Sequence, residues 1–489
     1  MDPDTFRQLG HAIVDRLADR LGAVADGPVT RDETPSAIRV AFGLDAPLPE
    51  EGAAPGTILD GLVDTLFDHS LFNAHPKFFG YITAPPAPIG VLGDFIASAL
   101  NPNVGSWRLS PAATEIEGAT VRWIGELIGY SKTASGLLTS GGNMANFIGF
   151  FAARASRAPW DVRTDGLAGG GGRRLRAYCS AETHTWVQKA ADLSGIGTSA
   201  IRWIPTDETQ RMRVDLLEKQ IDEDLAAGDV PFLVVGTAGS VSTGAVDPLP
   251  AIADLCAARG LWFHVDGAYG GFAAASPEAP DDLRALSRAD SVAIDPHKWL
   301  YAPLEAGCVV VRSADALRAA FAYHPPYYHF DEDALNFVDM GLQNSRGFRA
   351  LKVWLALRHA GAAGYRQMIT DDIRLSRTMA RAIATRPDLE LLSQNLSITT
   401  FRFVPTDLRT ASGNDDVGPY LDALNQALLE RLQVEGVVFV SNAVVNGRFA
   451  LRACIVNFHT TTADVEALPD IVARAGMAID RERRPSGRS

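Results

Sequence analysis

Apolar residues recur at helical spacing at the start of the chain: Phe6, Leu9, Ile13, Leu17 and Leu21, with Asp and Arg between them, predict an amphipathic helix over residues 1 to about 24. A lone apolar stripe needs a partner surface. A stretch rich in Pro, Gly, Ala and acids, Gly27 to Gly56, separates this helix from a second helical pattern at Ile58 to Phe72. Neither piece can build its own core, so both are expected to lie against the main body or a second subunit. From about 85 to 375 helices interleave with short apolar runs: LRAYCS (175–180), IRWIP (201–205), FLVVGTAG (232–239), LWFHVDGAYGG (261–271), DSVAIDPHKW (290–299) and AGCVVVRS (306–313). Such runs suit buried strands of a mostly parallel sheet, with AIADLCAARG as a crossover helix. Further on, helical patterns at 371–385 and 416–434 alternate with strand-like SITTFRFVP (397–405), VVFVS (437–441) and FALRACIVNF (449–458), predicting a smaller C-terminal α/β domain with an antiparallel sheet. The expected architecture is α/β, divided into 1–84, 85–375 and 376–489. GLAGGGG at 166–172 reads as a surface loop, and the terminal RERRPSGRS as a disordered tail.

Composition narrows the function. With 47% apolar residues over 489 positions, wholesale disorder is excluded. Forty-five Lys and Arg against 58 Asp and Glu give a net charge of −13, without the basic footprint of a nucleic-acid or anionic-membrane binder. Cys179, Cys256, Cys308 and Cys454 are too scattered for a disulfide framework or a metal knuckle, and the ten histidines contain no HExxH, so no metal is expected. MDPDTFRQLG has neither the basic start nor the apolar run of a secretory signal, and apolar pieces such as WLALRHAGAA meet a charge before the ~20 residues needed to span a bilayer. A cytoplasmic protein in a reducing compartment is expected.

Candidate chemistry concentrates at strand ends. A lysine at a strand terminus is ordinarily a solvated end. Lys298, in Asp295-Pro296-His297-Lys298-Trp299, has apolar and aromatic neighbours that favour a free amine able to form an imine with an aldehyde cofactor. Asp266, in His264-Val265-Asp266-Gly267-Ala268-Tyr269, closes another strand pattern. Alone it is a turn or cap residue; beside Lys298 it becomes the carboxylate that keeps a pyridine nitrogen protonated, making pyridoxal phosphate an electron sink. Ala268 is small enough to let the ring lie flat. In Thr139-Ser140-Gly141-Gly142-Asn143-Met144-Ala145-Asn146, hydroxyl, glycine and amide groups open a helix, either as an ordinary cap or as a phosphate cup. His184, in CSAETHTW, and Thr237, in VVGTAGSVSTGAVD, lie at two more such ends. The histidine is a satisfied structural residue or a ring stacked on the cofactor; the threonine stands near a cofactor oxygen or closes the turn.

The runs HPKFFGY, SPAATEIE, TSGGNMAN, HVDGAYGG, DPHKWL, NSRGFRALKVWLALR and LRACIVNF, from about 75 to 458, identify the chain as resembling the group II pyridoxal-phosphate-dependent amino-acid decarboxylases. The resemblance implies the aspartate-aminotransferase-like fold, fold type I: a large cofactor domain, a small C-terminal domain, and an N-terminal arm packed across a homodimer with active sites near the interface. It further implies Lys298 as the Schiff-base lysine, Asp266 at the ring nitrogen and His184 stacked on the ring. Gly142, Asn143 and His297 would lie near the phosphate, and Ala268 against the ring. Tyr81, with Asn103 to Gly105 contributed by the partner subunit, would shape the substrate pocket.

The implied activity is decarboxylation of an L-amino acid to amine and carbon dioxide. An aromatic substrate, tryptophan, phenylalanine or tyrosine, is favoured by the aromatic character of HPKFFGY, with Gly105 leaving space for a larger ring. SPAATEIE and LQNSRGFRALK also resemble diaminobutyrate-type relatives. One departure lies in the mobile loop at about 324–345. Counting back from FRALK puts Phe337 where the family carries a tyrosine credited with protonating the substrate carbon, and phenylalanine has no proton to give. Tyr327 and Tyr328 are alternative donors. A phenylalanine at this position accompanies aldehyde synthesis in related plant enzymes, with release of ammonia and peroxide. A noncatalytic cofactor-binding protein is the remaining alternative.

Overall fold

The computed structural model describes residues 1–324, 334–411 and 417–484. A seven-stranded sheet lies at its centre: β1 (Ser135–Thr139), β2 (Leu175–Ser180), β3 (Ile201–Ile204), β4 (Val230–Thr237), β5 (Trp262–Asp266), β6 (Ser291–Ile294) and β7 (Gly307–Val311). Its spatial order is β1-β7-β6-β5-β4-β2-β3. The pairs β2–β3, β2–β4, β4–β5 and β5–β6 are parallel, while β7 runs antiparallel to both β6 and β1. All residues of β2, β5, β6 and β7 are buried, as in a sheet covered on both faces. Five of the six apolar runs contain one of these strands whole, and FLVVGTAG contains all of β4 but its first two residues. DSVAIDPHKW stops being a strand at Ile294, where Pro296 starts the one-turn helix Pro296–Trp299.

The second sheet is wholly antiparallel, in the order β10-β11-β9-β8, from β8 (Leu389–Asn395), β9 (Ile398–Phe403), β10 (Ser441–Val445) and β11 (Arg448–Cys454). The strand expected over VVFVS is corrected: only Ser441 belongs to β10. The run pairs instead with HPKFFGY. The Phe79 N–H donates to the Phe439 carbonyl at 2.7 Å, the Phe439 N–H donates to that of Lys77 at 3.2 Å, and the Phe78 and Phe439 rings stack at 5.3 Å.

The helix Ala350–Ala384, interrupted at Gly361 (φ 65°), joins the two parts, and the 375/376 boundary falls within it. Its Tyr365, Ile369 and Ile373 enter the core of the large sheet, and its Met379 and Ile383 that of the small one. The N-terminal pattern forms the helix Pro3–Gly22, tied to the helix Leu62–Asp68 by Arg16–Asp64 and Arg20–Asp68 ion pairs, both 2.6 Å. Along its stripe Leu9, Ile13 and Leu17 are half-buried, whereas Phe6 and Leu21 are exposed. The helix expected over Ile58 to Phe72 is split at Gly61 (φ 66°), which follows Pro55–Leu59 and caps Leu62–Asp68. A 3-10 turn, Leu167–Gly170, occupies part of GLAGGGG. The expected disordered tail is corrected in its first half: the helix Thr462–Arg483 continues through it, and Arg484 pairs with Asp480 at 2.7 Å and with Asp407. Among the described residues no helix is long and apolar enough to cross a membrane.

Candidate active site

Parallel strands deliver their C-terminal ends to one edge of a sheet, where crevices form. In register across β4, β5 and β6 stand Thr237, Asp266 and Ala293, and the chain beyond β6 turns at once into the Lys298 helix. A cavity of about 360 Å³ opens there. Gly142, Asn143, His184, Thr237, Asp266, Ala268, His297 and Lys298, the eight residues expected on the cofactor side, all line it.

Asp266 is buried and both its oxygens are engaged: the Trp186 indole N–H donates to Oδ2 at 2.7 Å, and the Ala268 N–H to Oδ1 at 3.1 Å. His184 Nδ1 accepts from the Trp186 N–H at 3.3 Å. Burial lowers its pKa below the ordinary histidine value, against the pull of Asp266, which favours a neutral ring at neutral pH. Thr237 is held on both sides. Its N–H donates to Asp247 Oδ2 at 2.8 Å, and its hydroxyl lies 3.2 Å from that of Thr183.

Lys298 Nζ lies 2.9 Å from Oδ2 of the buried Asp295, three residues before it. No hydrogen-bond donor among the described residues reaches Asp295 Oδ1. His297 Nδ1 accepts the Ala306 N–H at 3.2 Å, so its ring proton belongs on Nε2, 3.6 Å from Asp295 Oδ2. Burial lowers the His297 pKa, and Asp295 opposes that shift. The helix Gly142–Arg157 points its N-terminus into the same cavity, and no side chain among the described residues caps it. Its cap residue Gly141 has φ 138°, a conformation that favours glycine, and a Cβ on Gly142 would come within 2.7 Å of Asp295 Oδ2.

These groups fit pyridoxal 5′-phosphate. Uncapped N–H groups at the start of a sixteen-residue helix suit a phosphate, an amine suits an aldehyde, and a buried carboxylate suits a pyridinium nitrogen.

The residues expected to shape the substrate pocket are not part of this cavity within one chain. Tyr81 (φ 50°) is 53% exposed, its ring tilted over Phe439 at 5.8 Å. Asn103, Gly105 and Phe337 gather around Arg346 instead. Asn103 Oδ1 accepts the Arg346 N–H at 3.0 Å, and the Gly105 carbonyl accepts the Val338 N–H at 3.0 Å. The guanidinium donates to the carbonyls of Val104 (2.9 Å) and Leu138 (2.7 Å), pairs with the buried Glu117, and lies 4.5 Å from the Phe337 ring. Phe337, expected beside the substrate, is fully buried here because its ring covers that arginine. Tyr327 and Tyr328 fall outside the described residues.

Sequence reasoning missed Asp295, Trp186 and Glu182. Asp295 lay inside the motif that singled out Lys298, at the i−3 spacing that brings two helical side chains together. Trp186, eighty residues from Asp266, offered no such signal. Glu182, two residues before His184, lines the cavity, and burial raises its carboxyl above the ordinary value while Ser242 opposes.

The chain matches the model of the pyridoxal-dependent decarboxylase conserved domain over residues 41–404. It is 32% identical over 470 residues to an aromatic-L-amino-acid decarboxylase of Bacillus atrophaeus, covering 95% of this chain and 94% of that one. It is 29% identical to a phenylacetaldehyde synthase of a Rosa hybrid cultivar, covering 93% and 90%. The structure of Oryza sativa TDC with PLP and tryptamine superposes with a TM-score of 0.90 at 28% identity, covering 98% of this chain and 99% of that one.

Proposed function

The chain belongs to the pyridoxal-dependent decarboxylases, and from that membership we propose that it converts an aromatic L-amino acid, tryptophan, phenylalanine or tyrosine, to the amine and carbon dioxide. It is a pyridoxal-phosphate-dependent carboxy-lyase whose chemistry is decarboxylation or deamination of an aromatic or related amino acid. When bound, the cofactor supplies an aldehyde for an amine and a protonated ring that takes up the electron pair left as a bond to the α-carbon breaks. In this reading Lys298 is the attachment point. Asp266, oriented by the Trp186 and Ala268 N–H groups, keeps a proton on the ring nitrogen. The neutral His184 ring and the small Ala268 side chain would flank the cofactor ring. The first turn of Gly142–Arg157, with Asn143 and His297, holds the phosphate. The convergence of Lys298, Asp266 and His184 on one cavity carries the proposal.

A second reading, release of an aldehyde, is supported by the likeness to phenylacetaldehyde synthases and by Phe337, which has no proton to donate. The test measures carbon dioxide, amine and peroxide in one reaction, across the common amino acids with diaminobutyrate and dihydroxyphenylalanine. One amine per carbon dioxide without peroxide, from an aromatic substrate, is expected. Stoichiometric peroxide would replace the first reading by the second, and turnover confined to acidic or diamino substrates would refute the aromatic choice.

The active form is proposed to be a homodimer. Leu92, Phe95, Ile96 and Leu100 leave one side of the helix Pro88–Leu100 apolar and exposed, and Phe6, Val14 and Leu21 do the same on Pro3–Gly22. Four free, buried cysteines fit a reducing, cytoplasmic compartment.

A further inference from the structure

Lys298 lies in a helix of one turn, which closes too few hydrogen bonds to hold a side chain in place by itself. Support comes from the helix Ala350–Ala384, whose buried residues include Tyr365 and, two turns later, Asp372. The Tyr365 hydroxyl donates to the Leu300 carbonyl at 3.0 Å. Asp372 Oδ2 accepts from the Trp299 indole N–H and from the Tyr301 hydroxyl, each at 2.8 Å. The backbone N–H of Asn457, just beyond β11, also favours the charged form of this carboxyl.

The two side-chain donors come from the residue directly after Lys298 and from the residue two further on. Trp299 is also fixed on its face, stacked on Tyr269 at 5.0 Å and 16°. Tyr301 has φ 53°, a conformation disfavoured for a bulky side chain, and its ring stacks on Tyr365 at 6.4 Å. Trp299, Tyr301 and Asp372 are all buried. Burying a carboxylate among neutral donors is unfavourable, and burial pushes this carboxyl up to about 7; an apolar residue would fill the space without that cost. What an apolar residue lacks is an acceptor for both donors at once.

We propose that Asp372 is a positioning residue: by holding Trp299 and Tyr301 it fixes the turn that aims the Lys298 amine at the cofactor aldehyde. The inference rests on Lys298 as the attachment point.

The test mixes full-length apoprotein with pyridoxal 5′-phosphate at mildly alkaline pH and follows the absorbance of the lysine-linked cofactor. Varying the cofactor concentration separates the limiting rate of bond formation from the half-saturating concentration. Asp372→Ala is expected to lower the limiting rate at least about tenfold while half-saturation moves less than about threefold. Asp372→Asn, whose amide oxygen accepts from the same donors, retains the rate within about threefold, and Trp299→Phe and Tyr301→Phe, each lacking one donor, fall between. An unchanged limiting rate in folded Asp372→Ala overturns the proposal; if that variant does not fold, unchanged rates in both single-donor variants do. Asp372→Asn as slow as Asp372→Ala also overturns it, by placing the effect on charge rather than geometry. Wild type without lysine-linked absorbance, or Lys298→Ala that still develops it, would instead remove the Lys298 assignment.

Discussion

Two buried carboxylates share the cavity, and their partners separate their roles. Asp295 faces the Lys298 amine, whereas Asp266 spends its oxygens on the Trp186 indole and the Ala268 amide. A hydrogen bond to a charged acceptor contributes about 1.5–3 kcal/mol, so Trp186→Phe is expected to weaken cofactor binding by roughly tenfold or more in an apoprotein titration. An unaltered dissociation constant would show that the indole does not support Asp266. Lys298, Asp266 and His184 were legible because each stands in a short motif at the end of an apolar run. Trp186 was not, since its contact with Asp266 exists only once β2 and β5 lie in one sheet. Within one chain Phe337 lies outside the cavity with its ring over the Arg346 guanidinium, a contact that a count along the loop does not reveal.

At the scale of elements, β2 and β4 to β7 were readable as apolar runs because both faces of the sheet are buried there, and the edge strand β3 by its two isoleucines and Trp203. β1, SGLLT, offers only two consecutive apolar residues, and β8 is a half-polar edge strand of the small sheet, so neither stands out from its surroundings. The helix Ala350–Ala384 was visible only in part, and nothing in its spacing marked Asp372 as a buried acceptor. Burial raises that carboxyl from 3.8 to about 7. Between those values the folded chain holds a proton that the unfolded chain has released. Its contribution to stability is therefore full at low pH and is lost as the pH rises toward 7, at most by about 1.4 kcal/mol per pH unit. Asp247, pushed up to about 6, adds a slope of the same sign, and His264, pushed down to about 4, one of the opposite sign. The informative quantity is thus the difference between wild type and Asp372→Asn in urea unfolding. From about pH 5 to 7 it should shift steadily toward the asparagine variant, and a constant difference would contradict the raised value.

At the scale of the whole molecule, the eight residues expected on the cofactor side line one cavity within a single chain, while Tyr81, Asn103 and Gly105 lie apart from it. That division agrees with a pocket finished by a second subunit, and the exposed apolar face of Pro88–Leu100 is the natural surface for it. Phe95→Asp, a charge in the middle of that face, is expected to raise the dimer dissociation constant at least about thirtyfold in sedimentation equilibrium. A monomeric wild type, or an unaffected dimer in the variant, would contradict the interface. The most direct test of the whole account is chemical. The chain has six lysines, Lys77, Lys132, Lys189, Lys219, Lys298 and Lys352, so borohydride reduction of the holoenzyme followed by peptide mass spectrometry identifies the attachment site without ambiguity. A pyridoxyl group is expected on the peptide carrying Lys298 and on no other; a label on any of the remaining five, or none, would contradict Lys298 as the attachment point.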